Sequence, residues 1–445
     1  MNRTKLYMNY RACLHYYTRA PVRVTAAVLA LLVLAAPASS RSDVLEPVVP
    51  EDVGLSSERL ERLSGTLQRY VDSNALPGAV VLIARQGRLA FHEEFGLRDR
   101  ETGAAMRPDT VFRIASQTKA LVSVGILLLQ EEGRLLLSDP VGKYLPEFQE
   151  TTVAVPDGTG GYDIVAAERP ITLRDLLTHT AGIGYGTGIA ADRWKAAGIT
   201  AWYFADRDEP IAATVSRMAG LPFEAQPGER WVYGYATDLL GVLIEQLSGQ
   251  SLDSYLRQRL FGPLGMSDTH FFLPPAKRER LAAVYSIADD GSLQRAPDSA
   301  AMLGQGAYVD GPRQSFSGGA GLVSTASDYA RFLQMLLNGG ELDGVRLLSR
   351  KTVELMTVSH TGHSQLGDNL PGAGFGLGFY VVQDLGGRGQ PGSVGEFGWG
   401  GAYHTSYWVD PAEELVVVYL TQVIPATGLD DQEKVRALVY QAIVD

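Results

Sequence analysis

The sequence predicts an α/β fold of the α+β type, in which an antiparallel sheet is flanked by N- and C-terminal helices and carries a large helical insertion. Two observations support this fold class. Strand-like runs rich in Val, Ile and Tyr lie near both ends of the chain, and helix-like segments fill the middle. We expect residues 39–445 to form one unit, with a sheet part at about 50–110 and 370–445 and a mainly helical part at about 111–369.

The composition of the chain excludes several classes of protein. The 445 residues are 45% hydrophobic, and they carry 39 Lys and Arg against 50 Asp and Glu, a formal net charge of −11. Because the body of the chain has no basic run, nucleic acid is not an expected partner. The single cysteine, Cys13, excludes an intramolecular disulfide framework and a thiolate zinc site.

Residues 1–38 have the pattern of a secretory signal peptide. They are basic and contain no acidic residue, an apolar run covers Val24–Ala36, and small residues precede Ser39. An uncleaved membrane anchor is the alternative, but this run is shorter than the roughly twenty apolar residues that cross a bilayer. We therefore expect export to the periplasm or the medium. No stable membrane insertion is expected after cleavage, because no later apolar run is long enough.

The N-terminal elements follow from apolar spacing and turn residues. A helix is expected from Leu55, with Ser56 or Ser57 as its N-cap and leucines at helical spacing. The run Ala79–Ile83 predicts a buried strand, and a turn at Gln86-Gly87 joins it to a partner strand over Arg88–Phe95.

The C-terminal elements mirror this arrangement. Strands are predicted over Tyr403–Val409 and Leu415–Leu420, with a turn at Asp410-Pro411 between them, and a closing helix over Gln432–Ile443. In the middle of the chain we expect four main helices. They are Ser116–Glu132, Thr237–Leu247, Leu252–Leu260 and Asp328–Leu337.

The first candidate for chemistry is Ser116-Gln117-Thr118-Lys119, at the start of a helix that is apolar all round. A spacing of three puts the Ser116 hydroxyl and the Lys119 amine on one face, one turn apart. The helix start offers free N–H groups and a positive dipole end, which suit a developing oxyanion. Because a lysine inside an apolar helix is costly unless it is paired or used, Lys119 is expected to act as a base or to activate one.

Two later segments complete the candidate site. Tyr233 precedes the predicted Thr237–Leu247 helix and is placed to share a proton network with Ser116 and Lys119. The glycines of Gly398–Tyr403 permit close backbone approach of a ligand to a strand edge. Taken alone, the tyrosine is typical of a core or surface aromatic, and the glycines are typical of a bulge or turn.

Other catalytic signatures are missing from the sequence. There is no Gly-x-Ser-x-Gly elbow, P-loop, Gly-x-Gly-x-x-Gly or His-Glu-x-x-His motif. The spacing of His360 and His363 is that of two metal ligands, but without a nearby carboxylate these histidines are expected to lie in a surface loop. We expect no metal and no organic cofactor.

The three segments, taken in order, resemble the serine β-lactamase and penicillin-binding-protein superfamily. The likeness covers essentially the whole chain after the signal peptide and is closest to the class C-like branch, which includes the β-lactamase-related carboxylesterases. Supporting stretches are Val111–Ala115, Leu176–Gly182, Pro263–Thr269 and Gly321–Thr325.

The resemblance implies a role for each motif position. Ser116 would be the acylated nucleophile, Lys119 its activating partner and Tyr233 the general base that also protonates the leaving group. Backbone N–H groups of Ser116 and Ala402 would form the oxyanion hole. The resemblance does not decide whether Tyr233 or Lys119 takes the first proton.

Two departures from the family pattern bear on the substrate. Tyr235 stands where the family's Tyr-x-Asn motif has asparagine, and Trp399-Gly400-Gly401 replaces the Lys-Thr-Gly box. Aromatic surface in place of a cation and an amide suits apolar acyl or alkoxy groups, so Tyr235, Trp399, Gly400 and Gly401 are expected to contact the substrate. Both replacements are known in the esterase branch.

The leading hypothesis is therefore an exported serine hydrolase that cleaves carboxylic esters through an acyl-enzyme on the serine. The alternative is a β-lactamase or a D-Ala-D-Ala carboxypeptidase, acting on lactams or cell-wall peptides. A third possibility, a catalytically silent binding protein, is opposed by the intact Ser116, Lys119 and Tyr233. No sequence feature indicates an oligomeric state.

Overall fold

A computed structural model describes residues 45–362, 366 and 370–445. The expected signal peptide, 1–38, and Cys13 within it lie outside the described residues. The two ends of the described chain meet in one eight-stranded antiparallel sheet, in the order β12-β13-β14-β15-β16-β1-β2-β3. The sheet therefore unites the N- and C-terminal strands, as the strand-like runs at both ends of the sequence predicted.

The elements have the following bounds. The strands are β1 Gly78–Arg85, β2 Arg88–Asp99, β3 Ala104–Ala105, β4 Phe112–Arg113, β5 Thr152–Pro156, β6 Tyr162–Ala166, β7 Tyr285–Ile287, β8 Leu293–Arg295, β9 Val323–Ser324, β10 Glu341–Leu342, β11 Val345–Arg346, β12 Ala373–Phe375, β13 Tyr380–Val382, β14 Phe397–Gly401, β15 Thr405–Asp410 and β16 Leu415–Leu420. The helices are α1 Ser57–Asp72, α2 Thr118–Glu131, α3 Leu173–Leu177, α4 Ala191–Ala196, α5 Ile211–Met218, α6 Ala236–Ser248, α7 Leu252–Leu256, α8 Gly262–Leu264, α9 Ala326–Leu337, α10 Arg350–Met356, α11 Leu385–Arg388 and α12 Asp431–Tyr440. Short 3₁₀ turns cover Pro50–Val53, Ala115–Gln117, Val141–Lys143, Pro146–Phe148 and Pro275–Arg280, and a π turn covers Arg257–Phe261.

The central strands are buried on both faces, and their side chains alternate between two cores. Along β1, Val80 and Leu82 enter the core that also contains α2 and α9, whereas Val81 and Ile83 enter the core formed with α1 and α12. Strand β16 alternates in the same way, and every residue of both strands is buried. Because helices cover both faces of the sheet, the sequences of these strands are unbroken apolar runs and do not alternate with polar residues.

The predicted helices and hairpins are present, with small shifts at their ends. Helix α1 begins after Ser56, whose hydroxyl accepts a hydrogen bond from the Arg59 N–H, as expected of an N-cap. The turn between β1 and β2 lies at Gln86-Gly87, both with positive φ. The expected Leu252–Leu260 helix is α7 followed by the π turn.

One prediction about the C-terminal region was wrong. A strand was expected only from Tyr403, with the glycine-rich segment Gly398–Tyr403 leading into it. Instead, Phe397–Gly401 is itself a strand, β14, which pairs with β15, and His404 lies in the tight turn between them with φ 65°. Its many glycines hid the strand pattern, and close packing explains one of them: a Cβ on Gly401 would lie 2.3 Å from the carbonyl oxygen of Ile114.

Within the described ranges, no helix combines the length and apolar character needed to span a bilayer.

Candidate active site

Ser116 lies in the 3₁₀ turn that leads into α2. The preceding residue, Ala115, has φ 39°, a left-handed conformation that is strained for a residue with a side chain. Helix α2 is buried from Thr118 to Leu129, so its N-terminal end is held firmly by the core. The Ser116 oxygen is therefore fixed near the positive end of a buried helix.

The Lys119 side chain is fully buried, one turn after Ser116. Its Nζ lies 3.4 Å from Ser116 Oγ, donates to the Tyr185 hydroxyl at 3.2 Å and donates to the carbonyl oxygen of Gly319 at 2.8 Å. The same nitrogen lies 4.6 Å from the ring centroid of Tyr233. Ser116 and Lys119 from one stretch of chain and Tyr233 from a distant one thus converge, as the sequence predicted.

A buried carboxylate, that of Asp238, is connected to Lys119 through one peptide group. Asp238, in the first turn of α6, accepts hydrogen bonds from the Gly319 N–H at 3.0 Å and from the Ser317 hydroxyl at 2.6 Å. Burial raises the pKa of Asp238, and the Ser317 hydrogen bond and the Lys119 charge offset part of that rise. The Gly319 peptide therefore connects the two groups: its N–H donates to the acid and its carbonyl accepts from the ammonium.

Tyr233 lies before α6 among aromatic rings. Its hydroxyl oxygen accepts a 2.9 Å hydrogen bond from the indole Nε1 of Trp399, on β14. Its ring contacts those of Trp231, at 5.5 Å between centroids, and His179, at 4.7 Å. Burial and the nearby Lys119 charge hold the pKa of His179 well below its usual range, so this imidazole is a neutral packing surface for Tyr233.

Sequence reasoning missed Tyr185. Its hydroxyl accepts from Lys119, and its ring contacts that of Tyr233 edge-on at 5.7 Å between centroids. Burial and the surrounding phenols and Asp238 raise the pKa of Tyr185 well above its usual range. The sequence signal was a tyrosine between two glycines, Gly184 and Gly186, directly after the matching Leu176–Gly182 stretch.

Strand β14 forms the opposite wall. Ala402, just past its end, lines the same cleft as Ser116, together with Trp399, Gly400 and Gly401. The cleft has a volume of about 780 Å³, and its wall contains many aromatic side chains together with polar and charged ones. The close approach of Gly401 to Ile114 brings the backbone at Ala402 beside the serine turn, where two N–H groups are needed to bind an oxyanion.

The expectation that Tyr235 contacts the substrate was wrong. Its side chain is fully buried, and its hydroxyl donates to the carbonyl oxygen of Ala201 at 2.6 Å. The ring stacks on Trp194 and meets Tyr185 edge-on at 5.0 Å between centroids. Tyr235 therefore supports Tyr185 from behind and is absent from the cleft wall.

His360, from the spacing first considered for a metal, bonds the carbonyl oxygen of Leu355 through Nε2, and His363 lies outside the described residues. Where side chains are described, no three His, Cys, Asp or Glu residues cluster in a way that could hold a metal ion.

The chain is similar to proteins of one known family. A family model described as Beta-lactamase matches residues 63–441. Esterase EstB of Burkholderia gladioli is 33% identical over 377 residues, which are 81% of this chain and 89% of EstB. A putative D-alanyl-D-alanine carboxypeptidase of Escherichia coli K12 is 26% identical over 418 residues, 89% of each chain.

A solved structure shows the same architecture. It is that of EstCE1, described as a hydrolase with promiscuous acyltransferase activity, which is 29% identical and superposes with a TM-score of 0.75 over 86% of this chain and 98% of EstCE1. The predicted fold is confirmed by this likeness. The chain belongs to the Beta-lactamase family and is a serine hydrolase of that family.

Proposed function

We propose that this enzyme hydrolyses carboxylic esters through an acyl-enzyme on Ser116. The observation that carries the proposal is the indole of Trp399, which occupies the box position where lactam- and peptide-processing members carry lysine, and which donates to Tyr233. A neutral aromatic donor at that position removes the cation that would hold a lactam or peptide carboxylate. The similarity to esterase EstB supports the same reading.

In the acylation step, Ser116 Oγ attacks the ester carbonyl and loses its proton to Tyr233 or Lys119. The carbonyl oxygen becomes an oxyanion, which the backbone N–H groups of Ser116 and Ala402 stabilise. When the intermediate collapses, the bond to the alkoxy oxygen breaks and the alcohol leaves with the transferred proton. Lys119 is held by the Gly319 carbonyl and the Tyr185 hydroxyl. If Tyr233 takes the proton, Lys119 is the ammonium that places a positive charge beside the serine; if Lys119 takes it, Lys119 starts the step as a neutral amine.

Deacylation repeats these steps with water. Water adds to the acyl carbon while Tyr233 or Lys119 takes its proton, the bond to Ser116 Oγ breaks, and the proton returns to the serine. The product is a free carboxylic acid. The aromatic walls of the cleft favour an apolar group on at least one side of the ester.

A second candidate function is the cleavage of lactams or of D-Ala-D-Ala peptides. The 26% identity with a putative D-alanyl-D-alanine carboxypeptidase supports it. Such substrates carry a carboxylate next to the reacting amide, and Trp399 offers that carboxylate no charge.

Turnover of p-nitrophenyl butyrate and of nitrocefin by the same preparation separates the two candidates. We expect ester hydrolysis that Ser116→Ala abolishes, with nitrocefin turnover at least a hundredfold lower in kcat/KM. Rapid nitrocefin turnover without ester cleavage would reverse the order of the candidates.

We also propose export, supported by the basic start, the short apolar run and the small residues of 1–38. N-terminal sequencing of the protein recovered from the periplasm or the medium of the native host tests this. A mature chain that begins at Ser39 agrees with the proposal, whereas a protein retained in the cytoplasm with Met1 contradicts it.

A further inference from the structure

The substrate cleft continues beyond Trp399 to a charged end. The ring of Trp399 lies 6.4 Å from that of Tyr380, on β13, and the guanidinium carbon of Arg388 lies 5.3 Å from the Tyr380 ring centroid. All three side chains line the same cleft as Ser116. Arg388 ends the short helix α11 and is half-buried. A cation therefore lies beside the aromatic part of the cleft wall.

Arg388 has no acidic partner in the part of the chain that the structure describes. Among the described residues, its guanidinium forms no hydrogen bond or ion pair, and its Nε is fully buried without an acceptor. An N–H group buried in this way is destabilising unless a ligand or water accepts from it.

The acid that contacts Tyr380 already has its own partners and does not pair with Arg388. Glu396 is fully buried, accepts from the hydroxyls of Tyr380 at 3.0 Å and Tyr440 at 2.8 Å, and forms an ion pair with Arg436. Arg436 also lines the cleft, but Glu396 neutralises its charge. The charge of Arg388 is not compensated in this way.

The remaining ionisable groups of the cleft wall do not pair with Arg388 either. His404 is paired with Asp431 at 2.8 Å, and Glu433, an exposed side chain of α12, lines the cleft without contacting Arg388. Within the described chain, Arg388 is thus the unpaired cation that faces the substrate space.

A guanidinium in this setting is suited to a carboxylate. Stacking on Tyr380 holds the planar group in place, so less side-chain entropy is lost when it binds. Its forked N–H groups match the two oxygens of a carboxylate, and partial burial strengthens the interaction.

We propose that Arg388 is the recognition site for a carboxylate on the substrate, placed on the side of the ester that passes Trp399 and Tyr380, several bonds from the scissile carbonyl. The preferred substrates are then half-esters of long dicarboxylic acids, or esters of alcohols that carry a remote acid. This inference rests on the proposed esterase function and specifies its substrate class.

The test uses pairs of esters that differ only in charge. For the acyl side, p-nitrophenyl hydrogen suberate is compared with p-nitrophenyl methyl suberate. For the alcohol side, 4-carboxyphenyl octanoate is compared with 4-carbamoylphenyl octanoate. In one of the two pairs we expect the wild-type enzyme to favour the acid at least tenfold in kcat/KM, mainly through KM, and less so at high salt.

Two variants assign the preference to Arg388. In Arg388→Gln the preference disappears, while turnover of the neutral esters stays within twofold and reports correct folding. Arg388→Lys keeps part of the preference, because lysine keeps the positive charge but lacks the paired N–H groups that match a carboxylate. The matched control is Arg207→Gln, since Arg207 lies 5.5 Å from the ring of Phe204 but outside the cleft wall; its preference remains that of the wild type.

Equal rates within both wild-type pairs, or a preference that survives in Arg388→Gln, would overturn the inference while leaving the esterase function intact. Failure to cleave any of the four esters would instead refute the esterase function. In that case binding of suberate dianion still tests the site: it should raise the thermal unfolding midpoint of the wild type and not that of Arg388→Gln. No rise in the wild type would overturn the site as well.

Discussion

The indole N–H of Trp399 donates a 2.9 Å hydrogen bond to the phenolic oxygen of Tyr233. This contact joins the sheet to the helical region at the point where the proposed general base acts. It uses one acceptor position of the phenolic oxygen.

Trp399→Phe removes this donor and keeps an aromatic ring in the wall. We expect kcat for a neutral ester to fall about tenfold, the value of one hydrogen bond of about 1.4 kcal/mol, with a smaller change in KM. Steady-state kinetics on p-nitrophenyl butyrate measures both. Trp231→Phe is the matched comparison, because its indole N–H has no partner among the described residues and its ring stacks on the same tyrosine. Its kcat should stay within threefold of the wild type. Equal losses in both variants would contradict the role of the hydrogen bond.

Asp238→Asn removes the negative charge behind the Gly319 peptide. We expect kcat/KM to fall by one to two orders of magnitude, because the ammonium of Lys119 loses the acid that orients its carbonyl partner. Ser317→Ala is the control. It removes one hydrogen bond to the same carboxylate, at a cost of about 1–2 kcal/mol in the free energy of unfolding, and should keep most of the activity. A fully active Asp238→Asn would show that Lys119 needs no such support.

Tyr235→Phe tests the placement of that residue away from the substrate. Losing the hydrogen bond to Ala201 should lower the free energy of unfolding by about 1–2 kcal/mol, because the carbonyl is left without its partner. The KM values for short and long esters should not change. Denaturant titration measures the free energy of unfolding, and ester kinetics measures KM. A KM that depends on chain length only in the variant would indicate that Tyr235 contacts the substrate.

His270 gives a pH dependence of stability. Burial, helped by the charge of Lys277, lowers the pKa of His270 to about 4, below the ordinary value of 6.5. The folded state thus favours the neutral imidazole, and the contribution to stability is complete above pH 6.5 and lost as the pH falls from 6.5 through 4. Relative to His270→Gln, the wild type should lose stability across that window in urea titrations. Parallel curves for the two proteins would contradict the shifted pKa.

Much of the fold was predictable because its signals are local. The unbroken apolar runs of β1 and β16, the Ser56 cap of α1 and the Gln86-Gly87 turn each specify their own structure. Strand β14 was missed because its glycines are required by contacts with Ile114 and Tyr407, which are distant in sequence.

Sequence motifs predicted the site residues that lie within one motif, but not those that only tertiary packing brings together. The spacing in Ser116–Lys119 determines one helix face, so those two groups were placed correctly relative to each other. Tyr235 was misjudged because neighbours in sequence can point in opposite directions: Tyr233 faces the cleft while Tyr235 faces Trp194. Tyr185 acquires its place beside Lys119 only through tertiary packing.

Acylation of Ser116 by the substrate is the step on which the proposed mechanism depends. Intact-mass spectrometry after reaction with a fluorophosphonate, followed by peptide mapping, locates the acylated residue. We expect one adduct per chain, located on Ser116 and absent from a folded Ser116→Ala variant. An adduct on another residue, or an undiminished adduct in that variant, would refute Ser116 as the nucleophile.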